Sequence, residues 1–78
     1  MNKTWITKEE MVKNLKRDPD NVHEYSHHLG GVLYSTHWYV YDSKMRLFGH
    51  SDNLNDYDWY TEEEMLEFYN WGLWRRDA

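Results

Sequence analysis

Cysteine is absent from this 78-residue chain. No disulfide can staple the fold, no thiolate can bind zinc, and no cysteine nucleophile exists. That absence fits a reducing compartment, so a cytoplasmic location is the expectation. Long apolar runs are missing too. Nothing approaches the ~20 apolar residues that a membrane-spanning helix needs. Met1-Asn2-Lys3-Thr4 shows no signal-peptide pattern, so its glycosylation sequon is discounted. There are only four glycines and one proline. Neither a phosphate-cradling glycine loop nor a nucleophile-elbow serine is present, and no linker divides the chain. One domain over residues 1–78 is expected. Positive charge is short as well: the formal net charge is −5. Direct binding to a nucleic-acid backbone, which rests on cations, is not expected.

Aromatic residues are abundant, with five tryptophans and seven tyrosines. A domain of this size buries only about 60% of its unfolded surface. Some of these rings therefore belong at the surface or in an interface, where Trp and Tyr are favoured.

The densest aromatic and acidic cluster runs from Asp56 to Trp74 and contains the clearest helix signal. Thr61 is a good N-cap, Glu64 completes a capping box, and Tyr60 with Met65 can form a hydrophobic staple. Glu62, Glu63 and Glu64 suit the positive end of the helix dipole. Met65, Phe68, Tyr69 and Gly72 fall on one stripe, with Leu66 and Leu73 beside it. Gly72 loosens or ends this helix, and Arg75 and Arg76 suit its negative end.

An earlier helix is predicted from Thr7 to Arg17. Thr7 is the cap, Glu10 closes the box, and Ile6 and Met11 form the staple. Met11, Val12 and Leu15 make the apolar stripe, while Lys8, Lys13, Lys16 and Arg17 face water. Trp5-Ile6-Thr7-Lys8-Glu9-Glu10-Met11 matches Trp59-Tyr60-Thr61-Glu62-Glu63-Glu64-Met65 at five positions. The same capping solution reached twice explains the match. Asp18-Pro19 then starts a second helix, on which Val22, Tyr25, Ser26 and Leu29 share a face before Gly30 stops it. A strand over Val22 to Leu29 is the rival reading. Val32 to Tyr41 alternates as a strand, turns at Asp42-Ser43-Lys44, and pairs with Met45 to His50. Val32, Tyr34, Thr36, Trp38 and Val40 are expected to face the helices. Leu33, Ser35, His37, Tyr39 and Tyr41 would face outward. Ser51 to Asp58 reads as a polar loop. The expected fold is a small single α+β domain, helix-helix-β-hairpin-helix, with the hairpin packed against the helices.

His23-Glu24-Tyr25-Ser26-His27 is a literal H-E-x-x-H. On a helix this spacing puts two imidazoles on one face to bind zinc, with Glu24 as general base. With Gly30 the stretch resembles the start of the metzincin zinc-protease motif. The resemblance covers eight residues, and Leu33 stands where that family has its third histidine. It implies a zinc metallohydrolase using His23, Glu24 and His27. A third ligand would come from His37, His50 or a carboxylate of the last helix. The plainer account is that His23 and His27 are solvated helix-surface residues, with no metal or other cofactor bound.

Between Asp52 and Glu67 there are seven acids and no Lys or Arg, whereas Met1 to Arg17 carries five bases against two acids. Solvated, dipole-favoured helix charges account for part of this pattern. The functional reading is a non-enzymatic binding protein. Asp56, Tyr57, Asp58, Trp59, Tyr60, Glu62, Glu63 and Glu67 would dock on a basic, nucleic-acid-holding surface of a larger protein and inhibit it. Composition alone makes the chain similar to phage-type anti-CRISPR and anti-restriction proteins that mimic DNA. A homodimer through Leu33, Tyr39 and Tyr41 is a third reading.

Overall fold

The computed structural model describes residues 3–29, 33–68 and 72–76, with the backbone alone at 3–5, 27–29, 33–34, 68 and 72–76. Its elements in order are β1 (Lys3–Ile6), α1 (Lys8–Arg17), β2 (His23–Leu29), β3 (Leu33–Asp42), β4 (Leu47–Ser51), β5 (Asp58–Tyr60), α2 (Glu62–Phe68) and β6 (Gly72–Arg76). The six strands form one sheet in the order β1-β6-β2-β3-β4-β5, and every neighbouring pair is antiparallel. The architecture is α+β, as expected, but the element order is not helix-helix-hairpin-helix.

Both helices begin as their caps dictate. Glu10 N–H donates to Thr7 Oγ1 at 3.1 Å, and Met11 N–H donates to the Thr7 carbonyl at 3.0 Å. At α2 the box is reciprocal: Glu64 N–H donates to Thr61 Oγ1 at 3.2 Å, and Thr61 N–H donates to Glu64 Oε1 at 2.8 Å. Each of the two matched segments is thus a strand end, a threonine cap and a helix start. Ile6 and Tyr60 precede the caps, and Met11 and Met65 are buried in the core.

The expected second helix is a strand. Asp18 instead closes α1, its N–H donating to the Leu15 carbonyl at 3.3 Å. The chain then turns through Asp20, whose φ of 65° is left-handed. Asp20 holds this turn against the β3–β4 hairpin. Its N–H donates to the Tyr41 carbonyl at 2.8 Å, and its carboxylate accepts from Ser43 N–H at 3.0 Å and Ser43 Oγ at 2.7 Å. Those bonds from Ser43 hold the Asp20 carboxyl below its ordinary range. β2 gains β3 on one side and β6 on the other, and this two-sided pairing overrides the helical cap signals. Likewise Gly72, Arg75 and Arg76 do not finish a helix; they belong to β6, between β1 and β2.

A β3–β4 hairpin forms, but Met45 and Arg46 belong to its turn and β4 starts at Leu47, which sets Tyr41 opposite Phe48 and Tyr39 opposite His50. Its faces are reversed. Ile6, Tyr25, Tyr39 and Phe48 are buried with Met11, Val12, Leu15 and Met65, and Tyr41, Tyr60 and Leu66 pack against them. Both helices therefore cover the Tyr39 side of the sheet. Trp38, Val40, Gly49 and Trp59 lie on the other side by alternation and register. The reason is collective. Trp38 and Val40 make the better apolar row on β3 alone, but only the Tyr39–Tyr41 row shares a face with Ile6, Tyr25, Phe48 and Tyr60. With Tyr39 0% exposed and Tyr41 half-buried, these two do not form an outward dimer face. Leu33 shares their row, and its side chain lies outside the described residues.

Candidate functional site

β5 is an edge strand, and α2 packs on β4 and β5. The acidic run therefore follows one edge of the molecule: the loop before β5, then β5, then α2. Asp52, Asp56, Asp58, Glu62, Glu63, Glu64 and Glu67 are all exposed there. The loop is ordered from within. Ser51, which is buried, accepts at Oγ from Asn53 N–H at 3.2 Å and Leu54 N–H at 2.9 Å. Asn53 Oδ1 accepts in turn from Asn55 N–H at 2.8 Å and Asp56 N–H at 3.0 Å. Trp59 is 40% exposed on the helix-free side and stacks on Tyr57 with ring centroids 6.1 Å apart.

Not every predicted docking residue is free to dock. Tyr60 turns toward the core, and burial, then Asp58 and Glu64, push its hydroxyl above the usual 10.0. Glu64 serves the capping box. Glu62 bonds Lys16 across the helices at 2.9 Å. This bond raises the Lys16 pKa, but an exposed, solvent-screened pair of this kind contributes little to stability. Among the described residues, Glu62 is the one acid of this run in an ion pair.

The H-E-x-x-H segment lies on β2, not on a helix. Four residues of strand separate His23 and His27 by about 13 Å at the backbone, too far for both to ligate one ion. His23 Nε2 instead meets Asp18 Oδ2 at 2.9 Å. Among the described residues, no group of three or more His, Cys or acidic side chains is placed to hold a metal ion. Nor is any described helix long and apolar enough to cross a membrane.

His37 and His50, the expected sources of a third zinc ligand, meet each other instead. His37 Nδ1 and His50 Nε2 are 2.5 Å apart, and Ser35 Oγ lies 2.8 Å from His37 Nε2. Alternation put Ser35 and His37 on one face of β3, but only the register set by the longer turn, with Tyr39 opposite His50, brings His50 to that face. The pairing of Tyr39 with His50 makes His37 and His50 diagonal neighbours.

Both imidazoles titrate below the usual 6.5. Burial is the main cause for each, reinforced at His37 by His50; Asp52 opposes it at both, and Asp58 at His50. The unfolded chain therefore takes up protons first as pH falls. The stability held by neutral imidazoles is complete above about pH 6.5 and is lost as pH falls toward the folded-state values. The melting temperature is expected to drop between about pH 7.5 and about pH 5, with a shallower slope in His37→Gln/His50→Gln. Equal slopes in the two proteins would refute this assignment.

Compared with known proteins, the chain matches no family model, no curated protein and no solved structure.

Proposed function

We propose that the chain is a binding protein that docks its acidic edge on a basic surface of a larger protein, one that holds nucleic acid, and so blocks it. One observation carries this reading. Seven exposed carboxylates lie along one edge, on a loop that its own hydrogen bonds order, on β5 and on α2, beside the exposed Trp59 and the half-buried Tyr57 it stacks on. Preordering reduces the entropy lost on docking. Complementary charge speeds encounter, and an aromatic anchor slows release. Asp56, Asp58, Glu63 and Glu67 supply the charge, with Trp59 and Tyr57 as anchors.

The test is capture of a basic partner on immobilised protein, with salt and duplex DNA as competitors. Wild-type protein should lose its partner as salt rises and as DNA is added. Asp56→Lys/Glu63→Lys/Glu67→Lys should bind about 100-fold more weakly at low salt. Reversal at Asp56 and Glu67 should leave folding stability within about 0.5 kcal/mol each, and Glu63→Lys, in the first turn of α2, should cost about 0.3–1 kcal/mol through the helix dipole. Binding that survives the reversal, or that DNA does not compete, would sink the proposal.

A further inference from the structure

The Ser35–His37–His50 chain has the connectivity of a nucleophile, a base and an orienting group. In acyl-transfer triads the base meets the serine through Nε2 and its orienting partner through Nδ1. His37 uses these same two nitrogens toward Ser35 and His50. The His37 and His50 ring centroids are 4.8 Å apart with their planes 18° from parallel. That separation is as large as two imidazole radii plus the N···N contact allow. Both nitrogens therefore lie on the line joining the centroids, and the rings meet head-on through one shared proton rather than face to face.

We propose that Ser35, His37 and His50 form an acyl-transfer site that cleaves small activated esters, with Ser35 as nucleophile, His37 as general base and His50 as positioning residue. None of the three belongs to the acidic edge, so this activity does not rest on the docking reading. All three are half-buried. His50 is braced by the fully buried Tyr39, with ring centroids 5.1 Å apart. Asp58 pairs with His50 across β4 and β5. Asp58 favours the charged form of His50, and Asp52 that of both imidazoles. Their field stabilises the imidazolium that forms during attack. Burial lowers the pKa of both rings and so favours the neutral form that a base needs.

Ser35 Oγ bonds to the ester carbonyl carbon while its proton passes to His37 Nε2. The tetrahedral adduct collapses, the bond from carbon to the leaving oxygen breaks, and that oxygen takes the proton from His37. Water then adds to the acyl-serine carbon, giving its proton to His37. His37 returns that proton to Ser35 Oγ as the carboxylic acid departs.

The experiment treats the full chain with a fluorophosphonate probe and with p-nitrophenyl acetate. The expected result is one labelled serine per chain, mapped to Ser35, and a p-nitrophenol burst stoichiometric with protein. Ser35→Ala should abolish both. His37→Gln should slow labelling at least about 100-fold. His50→Asp supplies another acceptor for His37 Nδ1–H. It should retain labelling while moving the pH profile upward, whereas His50→Phe should lose it. Label on another residue, or a burst that survives in Ser35→Ala, overturns the proposal. If a histidine variant does not fold, the wild-type label map and Ser35→Ala decide the question.

Discussion

Phe48→Ala should cost about 3–5 kcal/mol, the range for removing a buried aromatic ring. Phe48 is 1% exposed and is the second residue of β4. It stands opposite Tyr41 on one side and Tyr60 on the other, and its ring centroid is 4.7 Å from that of Tyr41. Both helices reach the core it fills, so no single element can collapse into the space its removal would leave. A domain of 78 residues has roughly 4–12 kcal/mol of stability at the usual per-residue value. The substitution thus removes a large share of it. Urea titration followed by circular dichroism should show a much lower midpoint with an unchanged slope, and a melting temperature lower by about 12 °C or more. A loss below about 1 kcal/mol would contradict burial of this ring.

The same residue shows where the sequence was legible. Signals contained in a few neighbouring positions were legible: Thr7 with Glu10, Thr61 with Glu64, the Met11–Val12–Leu15 stripe, and a strand from Leu33 to Tyr41, Val32 lying outside the described residues. Features that depend on partners distant in sequence were not. Val22, Tyr25, Ser26 and Leu29 do have helical spacing, yet His23, Tyr25, His27 and Leu29 have strand spacing equally well. Pairing with β3 and β6 decides between them, and β6 enters from the far end of the chain. The hairpin faces were misjudged for a similar reason. β3 alone favours burying Trp38, but Phe48, Tyr25 and Ile6 together outweigh it. The acidic edge was visible as composition, but its split was not. Alternation sends Tyr60 inward and Trp59 to the opposite side, so only part of the Asp56–Glu67 stretch can meet a partner. The His37–His50 contact needed the hairpin register, which a turn read one or two residues short did not supply.

Gly49→Val should cost about 1–3 kcal/mol by overpacking. Gly49 occupies ordinary strand backbone, so the cost is steric rather than conformational. It pairs with Val40 on one side and Trp59 on the other. A Cβ there would come within 2.9 Å of Trp59 Cζ3 and 3.0 Å of Val40 Cγ1. Gly49→Ala is cheaper, because the Trp59 ring is partly exposed and can swing away. Valine adds two methyl groups, and strand propensity recovers only part of the strain. The pressure falls on β5, which has three residues and is held to the sheet by β4 alone. Displacing Trp59 also disturbs its stack on Tyr57 and loosens the edge that carries Asp56 and Asp58. A red-shifted tryptophan emission should accompany a lower melting temperature, by roughly 4–8 °C per kcal/mol. The decisive comparison is a double-mutant cycle with Trp59→Ala. Removing the indole should abolish most of the Gly49→Val penalty, since the ring provides two of the three closest contacts. An undiminished penalty in the Trp59→Ala background would place the clash on Val40 and leave Trp59 as a loosely held surface ring, unsuited to anchoring a partner.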